Sequence, residues 1–182
     1  MIEARSTGGP RRPRASRFAC LAAAGALALA GCAASEAPVA LSRTFDSPEA
    51  LARTVLAALA ERDESTLAAL PLTAVEFRTI VWPELPASRP EVNLPVEYAW
   101  GDLHTKSQAY LASTFGDFAG RRLELVAVEF AGDTTAYRTF TVHRDTVLTV
   151  RAEGAGALER VRLFGSVLER DGRFKLFSFV VD

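Results

Sequence analysis

Residues 167–181 read VLERDGRFKLFSFVV. Two apolar-rich runs flank Asp171-Gly172. An Asp-Gly pair in that setting predicts a two-residue hairpin turn, because both central positions need positive φ and Gly172 adopts it without steric cost. The chain therefore ends in antiparallel strands. Working backwards, LERVRLFGSVLER (158–170) supplies the first arm of that hairpin. AYRTFTVHRDTVLTVRAE (136–153) predicts a long strand or a strand pair, and RLELVAVEF (122–130) alternates weakly and is apolar on both faces. Gly132-Asp133 and the EGAG at 153–156 mark the turns between them.

Before Gly120 the hydrophobic period is that of helices. In FDSPEALARTVLAALAERDESTLAAL (45–70), Ser47 can cap a helix that Pro48 starts, and Glu49 suits its positive end. Leu51, Val55, Leu56 and Leu59 form one stripe. Asp63 can cap a second, short helix carrying Leu67 and Leu70, which Pro71 ends. TAVEFRTIVWP (73–83) predicts a third helix, with Thr73 and Glu76 at capping-box spacing and Pro83 as its stop. Pro83, Pro86, Pro90 and Pro95 make the next segment a loop. EYAWGDLHTKSQAYLASTFGDF (97–118) predicts the longest helix, with Trp100, Leu103, Ser107, Tyr110, Leu111 and Phe118 near one face and Gly120 closing it. Helices first and a strand meander after predict an α+β fold.

The first 31 residues stand apart. MIEARSTGGPRRPRASR (1–17) is basic, and FACLAAAGALALA (18–30) has no charge, the n-region and h-region of a secretory signal. The apolar run is too short to span a bilayer. Pro13 follows Arg11-Arg12 directly, so the pair reads as an ordinary basic n-region. The run ends in Leu29-Ala30-Gly31-Cys32. This tetrapeptide resembles the lipobox of bacterial lipoprotein signal peptides. The resemblance implies that the Cys32 thiol is lipidated, that residues 1–31 are removed, and that multiple acyl chains hold the product in a membrane. AASEAPVALSRTF (33–45) then reads as a flexible tether, so that 32–45 precedes a folded domain at 46–182.

Of 21 basic and 22 acidic residues, five bases and one acid precede Cys32, leaving 16 bases against 21 acids. That balance argues against nucleic acid as a partner, since such binding rests on neutralising phosphates. The other cysteine, Cys20, lies in the apolar run, so the domain has no disulfide framework and no cysteine zinc site.

The element order from about residue 46 to 182 resembles the NTF2-like superfamily, which includes SnoaL-like and ketosteroid-isomerase-like proteins. ALAERDESTLAAL (58–70) is similar to its helix, polar break and second short helix, and VLERDGRFKLFSFVV to its closing hairpin. The resemblance implies a cone: N-terminal helices packed on a curved antiparallel sheet of about four to five strands. The insertion-like run RTIVWPELPASRPEVNLPVEYAWGDLHTKS (78–107) instead resembles bacterial lipoproteins, a likeness that supplies no activity.

Chemistry is harder to find. His143-Arg144-Asp145 has the letters of a kinase catalytic loop, but Val150 stands where its asparagine belongs and no glycine-rich loop exists. A polar bend in a strand is the better reading. His104 and His143 lack metal-ligand spacing, so neither metal nor cofactor is expected. Asp102 and His104, two apart on a helix, point away from each other, whereas His143 and Asp145 can share a strand face. Arg160 and Arg162, with Arg138, read as a solvated basic stripe. Trp82, Trp100, His104, Tyr110 and Tyr137 are the candidate lining of an open pocket. Two functions compete: a membrane-tethered envelope protein, facing the periplasm or the exterior, that binds a small apolar ligand or a protein partner, with a homodimer compatible; and a cofactor-free isomerase, dehydratase or hydrolase. No catalytic residue is assigned.

Overall fold

The computed structural model describes residues 39–154 and 156–181. The signal segment and Cys32 lie outside them. The described residues form four α-helices, α1 (Pro48–Ala60), α2 (Glu64–Ala68), α3 (Ala74–Glu76) and α4 (Val96–Phe118). Seven strands follow: β1 (Leu123–Phe130), β2 (Thr134–Ala136), β3 (Thr141–His143), β4 (Thr146–Ala152), β5 (Leu158–Val161), β6 (Val167–Arg170) and β7 (Arg173–Leu176). The class is α+β with antiparallel sheets.

The first three helices start where the sequence places them, and α4 starts one residue earlier than expected, at Val96. Ser47 Oγ accepts from the Ala50 amide at 3.1 Å, and Asp63 Oδ1 from the Thr66 amide at 2.9 Å. The capping box of Thr73 and Glu76 is complete. The third helix departs from expectation after one turn. Phe77–Val81 widens into a π-turn, and Trp82–Glu84 tightens into a 3₁₀ turn. Pro83 is the physical reason: it has no amide to donate, and in α geometry its ring would strike the Thr79 carbonyl. Two further short turns, Pro86–Ser88 and Pro90–Val92, order the proline-rich loop.

The strands divide into a three-stranded sheet of order β1-β4-β5 and a four-stranded sheet of order β2-β3-β6-β7. This corrects the expectation of one sheet of four to five strands. Two breaks create the division. Arg144-Asp145 interrupts the long run at 136–153, with Asp145 at φ 55°, and carries the chain from β3 to β4. Residues 162–166 carry it back from β5 to β6. The breaks meet: Thr146 donates to the Gly165 carbonyl from both its amide and its hydroxyl, at 3.2 and 2.5 Å. The His-Arg-Asp triplet is thus a bend that changes sheets. The final hairpin is as read, with β6 and β7 joined by Asp171 (φ 53°) and Gly172 (φ 70°).

Two apolar clusters hold these parts. The α1 stripe of Leu51, Val55, Leu56 and Leu59 packs with Leu148, Val167, Leu176 and Phe179. Phe77, Ile80 and Val81 pack with Phe140, Val142 and Leu168 around the π-turn. Full burial of each large aliphatic or aromatic side chain stabilises by about 1.5–3 kcal/mol. The segment expected to end the tether belongs to the fold. Leu41 joins the second cluster, and Phe45 exchanges both backbone hydrogen bonds with Phe174 at 2.8 Å.

Candidate functional site

Three elements converge beside α4: the turn from α2 to α3, the helix itself, and the segment after β7. Between them is a cleft of about 210 Å³ lined by Leu72, Thr73, Trp100, Leu103, His104, Ser107, Gln108, Phe177 and Ser178, with Ala68, Ala69, Pro71 and Ala74 completing it. The helix is fixed there by polar side chains. Ser107 is buried and its Oγ accepts from the Phe179 amide at 3.0 Å. One turn of helix further on is buried Leu111, then Thr114, whose hydroxyl donates to the Leu163 carbonyl at 3.4 Å.

The five candidate lining residues separate. Trp100 and His104, four apart on α4, share the cleft, and their rings stack at 5.3 Å. Phe77 lies between the two tryptophans, 5.4 Å from the Trp100 ring and 6.0 Å from Trp82. Trp82 thus supports the cleft from behind without lining it. Tyr137 stacks on Phe140 at 4.7 Å and lines a neighbouring cleft of about 320 Å³, which meets the first at Leu103, Phe177 and Ser178. Tyr110 is 40% exposed on α4 and lines neither.

No acid–base pair forms at the cleft. Among the described residues His104 makes no hydrogen bond or ion pair, only its ring contact with Trp100. His143 does have a carboxylate, but it is Glu169, not Asp145. Its Nε2 lies 2.8 Å from Glu169 Oε2 and its Nδ1 3.2 Å from Thr134 Oγ1. The register explains the choice: His143 faces Thr134 across β2–β3, and Glu169 is diagonal to it on β6. Phe130 stacks on the ring at 4.5 Å. Asp145 pairs with Arg162 at 2.7 Å and Arg160 with Glu129 at 2.8 Å. Arg138 lies 3.7 Å from Glu84. The expected basic stripe is therefore charge-compensated. No group of three or more histidine, cysteine or carboxylate side chains suited to a metal occurs among the described residues.

Sequence reading missed the strongest electrostatic feature, which abuts the cleft. Glu76 is 2% exposed and Lys175 fully buried. Glu76 accepts from the Thr73 amide (2.7 Å) and from the Ser42 amide and hydroxyl (2.6 and 2.8 Å). Burial by itself would raise the Glu76 carboxyl, but those donors and the Lys175 ammonium outweigh it and hold the group below the ordinary carboxylate value. Lys175 is pushed below the usual lysine value, chiefly by burial, which Glu76 only partly offsets. Thr73, on the cleft wall, is locked in place by this network. The capping-box spacing was the available signal for Glu76. For Lys175, a cation set between Phe174 and Leu176 in the closing strand was the clue.

Among the described residues no helix is long and apolar enough to cross a membrane. In comparisons with known protein families, with curated proteins and with solved structures, no match to this chain was found.

Proposed function

We propose that this chain is a lipid-anchored protein of the bacterial cell envelope, tethered through Cys32, whose single domain binds a small ligand in the Trp100–His104 cleft. The anchor rests on LAGC behind a 13-residue uncharged run. The reading that groups the domain with the NTF2-like proteins rests on three features: helices precede the meander, the chain crosses between the two antiparallel sheets at two breaks, and an Asp-Gly hairpin closes it. The observation that carries the binding reading is the character of the cleft. It is largely apolar, has an aromatic side chain on α4, and its one histidine has no acid partner. A general base must itself lie within hydrogen-bond reach of the substrate proton it accepts, and an acid partner usually orients it. The one histidine–carboxylate pair among the described residues, His143–Glu169, lies under Phe130 and lines neither cleft beside α4, which suits a structural role.

Two measurements test this reading. Cys32→Ser should move the protein from the membrane fraction to the soluble fraction and abolish the mass added by acylation. Identical fractionation and mass for serine variant and wild type would remove the anchor. Native mass spectrometry of the purified wild-type protein should reveal a bound small molecule that Trp100→Ala fails to retain. Retention of that molecule by Trp100→Ala would remove the cleft as the binding site. A stoichiometric second protein in place of a small molecule would favour the envelope-partner alternative.

A further inference from the structure

None of the thirteen residues lining the Trp100–His104 cleft is Asp, Glu, Lys or Arg. A charged ligand would leave water there without a counter-charge, which is unfavourable. Besides His104, the polar side chains are hydroxyls and an amide, which carry no charge and can donate. Ser107 Oγ and Thr73 Oγ1 each already accept from a backbone amide, of Phe179 at 3.0 Å and of Glu76 at 3.2 Å. Each hydroxyl therefore keeps its own proton to donate. Gln108 adds an amide at the exposed rim.

Ser178 is the more telling residue. It is 4% exposed, yet its side chain joins no hydrogen bond among the described residues. Its hydroxyl is not sealed in the interior, since no buried side-chain polar atom among the described residues lacks a partner, and Ser178 stands where this cleft meets its neighbour. A nearly buried, unpaired hydroxyl on the wall shared by two clefts is satisfied by water or by a ligand oxygen.

We infer that this cleft recognises a single uncharged pyranose ring, an inference that rests on the ligand-binding reading above. A pyranose has one face of C–H groups for the apolar wall of Trp100, Leu103 and Phe177. Its ring and hydroxyl oxygens accept from Ser178, Ser107, Thr73 and Gln108. A phenyl ring of similar size would cover the wall but strand the Ser178 hydroxyl, a cost a hydroxylated ligand avoids. The volume of about 210 Å³ is below the roughly 300 Å³ at which pockets for drug-sized ligands begin, so the cleft itself suits one ring.

Titration calorimetry on the full chain tests this. The probes are the methyl glycosides of glucose, galactose, mannose and N-acetylglucosamine, the charged methyl glucuronide and methyl glucosaminide, and benzyl alcohol as an apolar ring. At least one neutral glycoside should bind saturably, and its carboxylated or aminated counterpart at least tenfold more weakly. Ser178→Ala should weaken the neutral glycoside at least tenfold with the melting temperature unchanged. If that variant does not fold, Gln108→Ala at the exposed rim takes its place, with several-fold weakening expected. Equal affinity for charged and neutral sugars, or undiminished binding by the variant, overturns the assignment. Benzyl alcohol binding with no glycoside binding overturns the sugar assignment and leaves the ligand-binding reading standing. Silence from every probe overturns the sugar assignment, and the mass-spectrometric test then decides the broader reading separately.

Discussion

Glu76 and Lys175 meet inside the domain, Nζ to Oε2 at 3.5 Å, with side chains only 3% and 0% exposed. Lys175 Nζ also donates to the Ser42 carbonyl at 2.8 Å. The pair thus ties the closing strand to the α3 cap and to the segment that enters the domain. Removing one partner strands the other charge. Lys175→Met is expected to cost about 3–5 kcal/mol in urea unfolding, and Glu76→Gln somewhat less because the amide keeps part of the capping box. The double variant should cost less than the sum by roughly 0.5–3 kcal/mol. Strict additivity would show that the two charges do not interact.

Acid should weaken the fold through three described carboxyls, Asp63, Glu76 and Glu84. Burial by itself would raise Glu84, but its bonds from Thr139 and the charge of Arg138 outweigh that effect and lower the group. Asp63, held by the Ser65 and Thr66 hydroxyls and the Thr66 amide, is lowered from 3.8 to about 2, and Glu76 is lowered from 4.5. Each is more acidic folded than unfolded. The stability they contribute is complete above the ordinary value and is lost as pH falls through the folded one. Lys175 acts at the other extreme. Its depressed value means that the charged form costs stability, and the cost fades as pH rises towards 10.5. Melting temperature should therefore fall from pH 5 to pH 2. Asp63→Asn, which still caps, should flatten that slope. An unchanged slope would deny Asp63 its part.

Glycine positions in this chain divide sharply. A Cβ on Gly165 would lie 1.6 Å from the Val180 carbonyl oxygen, a backbone atom with little room to move. Gly165→Ala should destabilise by about 1–3 kcal/mol. Gly101, within α4, has nothing within 4 Å of its would-be Cβ. Gly101→Ala should stabilise by about 0.5–1 kcal/mol, the helix-propensity difference. Thermal melts of both variants check this; the same sign for the two would place the Gly165 contact in error.

How much of this was legible in the sequence depended on how local the cause was. Caps at Ser47 and Asp63, the α1 stripe and the Asp171-Gly172 turn all depend on neighbours within a few residues, and each formed as read. Gly172→Val should still cost about 1 kcal/mol or more, because φ 70° disfavours a β-branched residue. The division into two sheets was not legible, since it arises where Thr146 meets Gly165 across two separate breaks. The cleft was half legible. Helical spacing put Trp100 beside His104, but nothing local showed that Tyr110 turns to solvent or that Ser178 arrives from the far end of the chain. Alternation showed only that His143 and Asp145 can share a strand face, while cross-strand register delivered Glu169 as the partner.

The two histidines should separate by experiment. His143 joins three strands through Thr134 and Glu169 and carries Phe130 on its ring, with 15% of its side chain exposed. Its removal leaves a gap under Phe130 and Glu169 without a donor. His143→Ala is expected to lower unfolding stability by about 1–2 kcal/mol and to leave ligand retention unchanged once the protein is folded. His104 is exposed and unpaired apart from Trp100. His104→Ala should leave stability within about 0.5 kcal/mol of wild type, as most surface changes do, and alter ligand affinity only a few-fold. Urea unfolding and native mass spectrometry on the same two variants read both quantities. If His104→Ala abolishes turnover of some substrate while retaining binding, the cleft is an enzyme's. If instead His143→Ala does so, the catalytic base is the His143–Glu169 pair, and the cleft beside Trp100 serves another purpose.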